Sequence, residues 1–192
     1  MAKSTFARIS ILNSTAKGGD GMIGTAIKET REEKGITQEE LGQTSFLSSK
    51  TISAIETGRR NLTKESLKAI CMELDDPRVY FEAANEVTGD VFALHWLDGE
   101  AADLHRASVK DKVIEELDEA IKAINLTRVY KNPIYCNTED KKAIEESIKE
   151  TIDVYVASAI YIAVMCKEYS VNIKEMFKDQ KEKMINRGYV KR

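Results

Sequence analysis

The sequence predicts an all-α protein in two parts, five short helices followed by a bundle of long ones. Three observations lead there. Charged residues make up 32% of the 192, and Glu, Lys, Ala and Ile recur through long unpunctuated segments. Only two prolines occur, Pro77 and Pro133. Apolar residues return at three- and four-residue spacing, the period of a helix face.

Residues 1–20 read as a flexible arm punctuated by Gly18 and Gly19, with Lys3, Arg8 and Lys17 available to touch a polyanion. The first helix is expected from Met22 to Lys34, with Ile23, Ile27 and Thr30 inward and Gly35 ending it. Next comes Thr37 to Arg60, TQEELGQTSFLSSKTISAIETGRR. Thr37 and Glu40 form a capping box for a short helix anchored by Leu41. A break falls within Gln43 to Leu47, and Ser48 caps a second helix that buries Ile52 and Ile55. The positions left outward, Ser49, Lys50, Thr51, Ser53 and Ala54, are mostly small or hydrogen-bonding. Such a face fits a groove about 12 Å wide and approaches base edges closely. Gly58 stops the helix, and Arg59-Arg60-Asn61 makes a cationic turn.

These residues resemble the helix-turn-helix of the XRE family, the group that includes the lambda-type phage repressors and Cro, from about Ile23 to Leu74. The resemblance implies a lambda-repressor-like DNA-binding domain over 21–87. It implies that Arg31 pairs with Glu56, the glutamate closing the recognition helix. Gln38 takes the place where the family hydrogen-bonds a phosphate. Ser49, Lys50, Thr51 and Ser53 are expected at base edges, with Lys50 reading guanine. Ser48, Arg59, Arg60, Asn61 and Lys64 are expected on the backbone, where contacts set orientation rather than sequence. Leu62 departs from the proline the family often carries there.

A fourth helix is expected from Thr63 to Leu74, with Leu67, Ile70 and Leu74 inward. Asp75-Asp76-Pro77 opens a fifth, whose Val79, Tyr80 and Phe81 close the core. Residues 88–110 read as a connecting segment. It holds both histidines, His95 and His105, without ligand spacing, so each is expected to be a partly buried packing residue.

From 111 to 192 the pattern is a helical dimerisation domain. Its first helix, about Ser108 to Leu126, carries the stripe Ile114, Leu117, Ile121 and Ile124. After Asn132-Pro133, Thr138 is expected to cap a helix running to Glu168. Its expected core face is Ile144, Ile148, Ile152, Tyr155, Ala159 and Ile162. The opposite face passes from Glu146, Glu150 and Asp153 to Ala157, Ile160 and Val164. A helix apolar on both sides must be covered on both, so a second subunit is expected to supply one cover. Asn172 and Glu175 open a last helix ending in Lys183, Arg187, Lys191 and Arg192.

On helices, Glu116 and Glu119 project together, as do Glu150 and Asp153. Antiparallel packing would converge four hard oxygen ligands, the chemistry of a Mg²⁺ site. The spacing is loosely similar to the EExxE…ExxD pattern of all-α MazG-type nucleotide pyrophosphohydrolases over 110–189. That resemblance implies Mg²⁺ at the carboxylates and substrate phosphates at Lys183 and Asn186. It makes a nucleotide-hydrolysing or nucleotide-sensing domain the rival to simple dimerisation, and an antitoxin-like protein-binding domain a third reading.

The formal net charge of −3 does not itself point to nucleic acid, but residues 1–72 carry eleven Lys/Arg against eight Asp/Glu. Cys71, Cys136 and Cys166 are odd in number and form no CxxC pair, which argues against disulfides and zinc. No apolar run of about 18 residues exists. The expectation is a cytoplasmic, repressor-like regulator that needs no cofactor for DNA binding. It would act as a homodimer on double-stranded, palindromic DNA, away from membranes.

Overall fold

The computed structural model describes residues 22–89, 94, 96, 97, 100 and 102–191. Among them every regular element is helical: α1 (Met22–Glu33), α2 (Gln38–Thr44), α3 (Ser49–Glu56), α4 (Lys64–Leu74), α5 (Pro77–Thr88), α6 (Arg106–Leu126), α7 (Thr138–Glu168) and α8 (Ile173–Asn186), with a 3₁₀ turn at Pro133–Tyr135. The chain divides into two compact units at Ala102/Asp103, inside the expected connecting segment. The expected arm at 1–20 lies outside the described residues.

Unit 1 is built by caps and a single core. Thr37, Ser48 and Thr63 each sit in extended backbone and accept a hydrogen bond from the amide three residues on, satisfying a donor the helix start leaves free. Asp76 caps α5 by accepting from the amide two residues on, Arg78 N, and Pro77 fills the first helical position. The core gathers Ile23 and Ile27 of α1, Leu41 of α2, Ile52 and Ile55 of α3, Leu67, Ile70, Cys71 and Leu74 of α4, and Val79 of α5. Thr30 is also buried, and its hydroxyl finds no hydrogen-bond partner among the described residues.

Close approach explains two glycines. A Cβ on Gly42 would meet the Leu47 carbonyl oxygen at 2.6 Å, and one on Gly24 the Ile55 carbonyl oxygen at 2.4 Å. Gly42 therefore lets the chain fold back from α2 into α3, and its own carbonyl accepts from Leu47 N at 2.7 Å. The turn passes through Phe46 at φ 59°, left-handed backbone that glycine would adopt at lower cost.

Leu94 and Trp96 lie against α5. The Asn85 side chain pairs with both backbone groups of Leu94, at 2.8 and 3.1 Å. Trp96 lies 6.4 Å from the Phe81 ring, with the Arg78 guanidinium 5.3 Å over it. His105 is exposed and caps α6, its Nδ1 accepting from Ala107 N, so it is not the packing residue expected. His95 lies outside the described residues.

In unit 2, α6 and α7 pack along each other, joined by the turn that Lys131 and Asp140 tie together with an ion pair. Asn137, not Thr138, caps α7, in a box closed by Asp140. The packing reverses the expected faces. Ile160 and Val164, from the face opposite the expected core, are buried together with Ala163, Val109 and Ala120. The expected core stripes stay open: Ile114 and Ile121 of α6 are 54% and 56% exposed, Ile148 and Ile152 of α7 54% and 50%.

Candidate nucleic-acid interface and carboxylate cluster

The helix that carries the expected base-facing residues is α3, and it is locked from beneath. Arg31 reaches from α1 to Glu56 with two hydrogen bonds, Nε to Oε1 at 2.6 Å and Nη2 to Oε2 at 3.1 Å. Its Nη1 donates to the Ile36 carbonyl at 2.8 Å. Both side chains are buried, and the bond to Glu56 outweighs burial to raise the arginine's pKa. Gln38 Nε2 donates to the same Oε2, at 2.7 Å. This ties the start of α2 to the end of α3.

With Ile52 and Ile55 inward, the opposite face of α3 is left to solvent. Ser49 and Lys50 are exposed, and Thr51 and Ser53 half-buried. Ser48 Oγ accepts from Thr51 N at 3.1 Å and lies 2.9 Å from Thr51 Oγ1. The cationic turn follows directly: Arg59, Arg60, Asn61 and Lys64 are all exposed. Arg59 Nε donates to Thr57 Oγ1 at 2.9 Å, and Arg60 Nη1 approaches Thr51 Oγ1 at 3.5 Å. Hydroxyls and an ammonium on one short helix, bordered by guanidinium groups, suit a polyanion whose base edges lie in a groove. Gln38 is committed through one amide hydrogen to Glu56, so the expected phosphate contact would have to use its remaining groups.

In unit 2 the acidic residues meet. One carboxylate oxygen from each of Glu116, Glu119 and Glu150 lies within 4.8 Å of the others. Glu116, which the sequence places on the side opposite the apolar stripe, is buried against α7 rather than solvated. Loss of solvent first, then Glu119 and Asp153, pushes the Glu150 carboxyl above its usual range. Loss of solvent and Glu116 do the same to Asp153. Lys112 offsets part of this charge, with Nζ 2.5 Å from Glu116 and 3.1 Å from Glu115. Burial opposes the ammonium, but the two carboxylates raise its pKa. The i, i+4 spacing of Lys112 and Glu116 was the available sequence signal for this pair. Lys183 and Asn186 are exposed on α8, with no hydrogen bond or ion pair to these carboxylates among the described residues.

No helix among the described residues is long and apolar enough to cross a membrane. Neither the curated proteins nor the solved structures give a match, and the MazG-type resemblance of 110–189 finds no support. A family model described as helix-turn-helix does match, at residues 27–76. The match runs from the middle of α1 to the cap of α5 and takes in the Arg31–Glu56 lock and all of α2, α3 and α4. Residues 27–76 therefore form a DNA-binding helix-turn-helix domain of the XRE family, followed by a helical C-terminal region.

Proposed function

We propose that the protein is a repressor-like regulator that binds a palindromic operator as a homodimer and reads its sequence through α3. The observation that carries this is the pairing of an exposed face, Ser49 and Lys50, with a buried lock, Arg31–Glu56. Lys50 is the base reader, and Arg59, Arg60, Asn61 and Lys64 hold the phosphates together with Gln38 and Ser48. Each phosphate contact releases counterions and weakens with salt. The test is selection from random duplexes by the full chain. Enrichment of a two-fold sequence with half-sites about 34 Å apart supports the reading. No enrichment over the starting pool contradicts it.

The carboxylate cluster favours a second reading of unit 2, a Mg²⁺-dependent nucleotide site. Glu116, Glu119 and Glu150 would hold the ion, with Asp153 beside them, and Mg²⁺ would supply charge to bind and polarise a triphosphate. Without an ion, Lys112 balances part of the cluster. Pyrophosphate release from a panel of nucleoside triphosphates, lost in both Glu119→Ala and Asp153→Ala, would support it. No turnover and no nucleotide binding by calorimetry would remove it.

A further inference from the structure

Unit 2 has more apolar surface than its own helices cover. The α6–α7 contact buries Val109, Ala120, Ile160, Ala163 and Val164 but also Glu116 and Ser147. That is a thin core for a hairpin whose longer helix has 31 residues. Outside the contact lie two stripes: Ile114, Leu117, Ile121 and Ile124 on α6, and Ile148, Ile152, Tyr155 and Ile162 on α7. Each residue is between 38% and 56% exposed. Together they present on the order of 800 Å² of mostly apolar surface. Summed over the two stripes, this is about one partner's share of a standard interface, roughly 800 Å².

We propose that a second copy of this chain covers these stripes, α6–α7 hairpin against α6–α7 hairpin. The inference rests on the dimeric reading above and adds the surface through which it forms. The stripes carry no charge, so they select no oppositely charged partner, and a two-fold axis sets the same uncharged patch against itself. Two hairpins make a four-helix bundle, a small arrangement that gives such helices a shared core.

The experiment is sedimentation equilibrium of the full chain, with Ile121→Glu/Ile152→Glu as the principal variant. Wild type is expected at twice the single-chain mass of 21.6 kDa, and the variant at that single mass, with dimer affinity at least about 100-fold weaker. Should the charged variant lose helicity, Ile121→Thr/Ile152→Thr is expected to weaken the dimer about tenfold with its circular dichroism unchanged. Val87→Glu, at an exposed apolar residue of unit 1, is expected to leave the mass as in wild type. A wild type at single-chain mass at tens of micromolar, or stripe variants that associate as wild type does, overturns the proposal. A half-site duplex separates this outcome from failure of the DNA reading. A monomeric variant should still bind the half-site, whereas a dimeric wild type that binds no DNA at all would leave the interface standing and remove the DNA reading.

Discussion

Arg31 and Glu56 join the first helix to the last residue of α3 through a buried, two-pronged ion pair, at 2.6 and 3.1 Å. Gln38 adds a third hydrogen bond to the same carboxylate. Removing one partner strands a buried charge, which costs about 3–5 kcal/mol, whereas an exposed pair contributes about 1 kcal/mol or less. Arg31→Met should therefore lower unfolding free energy in urea by several kcal/mol. Arg31→Met/Glu56→Leu should recover a large part of it. Equal losses in the two would show that packing, not the stranded carboxylate, sets the cost.

Thr30 gives a stabilising prediction. Its hydroxyl is buried without a hydrogen-bond partner among the described residues, so Thr30→Val removes an unmet polar group and keeps the shape. A gain of about 1 kcal/mol in urea unfolding is expected.

The α2–α3 turn yields a pair of opposite effects. Gly42→Ala drives a methyl into the Leu47 carbonyl and should cost about 1–3 kcal/mol. Phe46 is 92% exposed and left-handed, so Phe46→Gly gives up little packing while relieving the backbone. It should gain up to about 1 kcal/mol after the added flexibility of the unfolded chain is counted. Thermal unfolding of the two variants beside wild type measures both signs.

Unit 2 should respond to pH through its carboxylates. Glu150 and Asp153 are raised above their unfolded values, so the folded state holds their protons more tightly. Stability contributed here rises as pH falls from neutral through the raised values, and stops rising at the ordinary carboxylate range. Asp140 works the other way. Its hydrogen bond to Lys131, then that from the Asn137 amide, lowers its pKa, so its contribution is lost as pH falls through the depressed value. Unfolding followed by far-ultraviolet dichroism should show a mildly acidic optimum. Glu150→Gln should flatten the rise on the neutral side, with a gain near pH 7 of no more than about 1 kcal/mol once solvent screening is allowed for.

The helix-turn-helix was legible because its signals are local. Thr37, Ser48 and Thr63 are caps that need only their own next three residues, and Ile52 and Ile55 can turn only one way on an eight-residue helix. Of the four carboxylates expected to converge, Glu116, Glu119 and Glu150 do so and Asp153 stays outside the group; i, i+3 spacing and an antiparallel hairpin suffice for the three. The covered face of α7 was not legible. With Ile148 and Ile152 on one side and Ile160 and Val164 on the other, periodicity gives two stripes and no rank between them. What decides is which face α6 packs against, and that face buries Ala163 of α7 and Ala120 of α6. The Gly42 contact was hidden for a similar reason, because a glycine inside a helix reads as a weakness until the carbonyl opposite it is known.

The measurement that bears most directly on the central claim compares Lys50→Ala with Arg59→Ala on the selected operator and on a scrambled duplex, at fixed salt. Lys50→Ala should reduce the ratio of specific to nonspecific affinity by about 1–3 kcal/mol and relax preference at one base position. Arg59→Ala should weaken both duplexes alike and leave that ratio unchanged. An unchanged operator preference in Lys50→Ala would contradict the assignment of α3 as the reading helix.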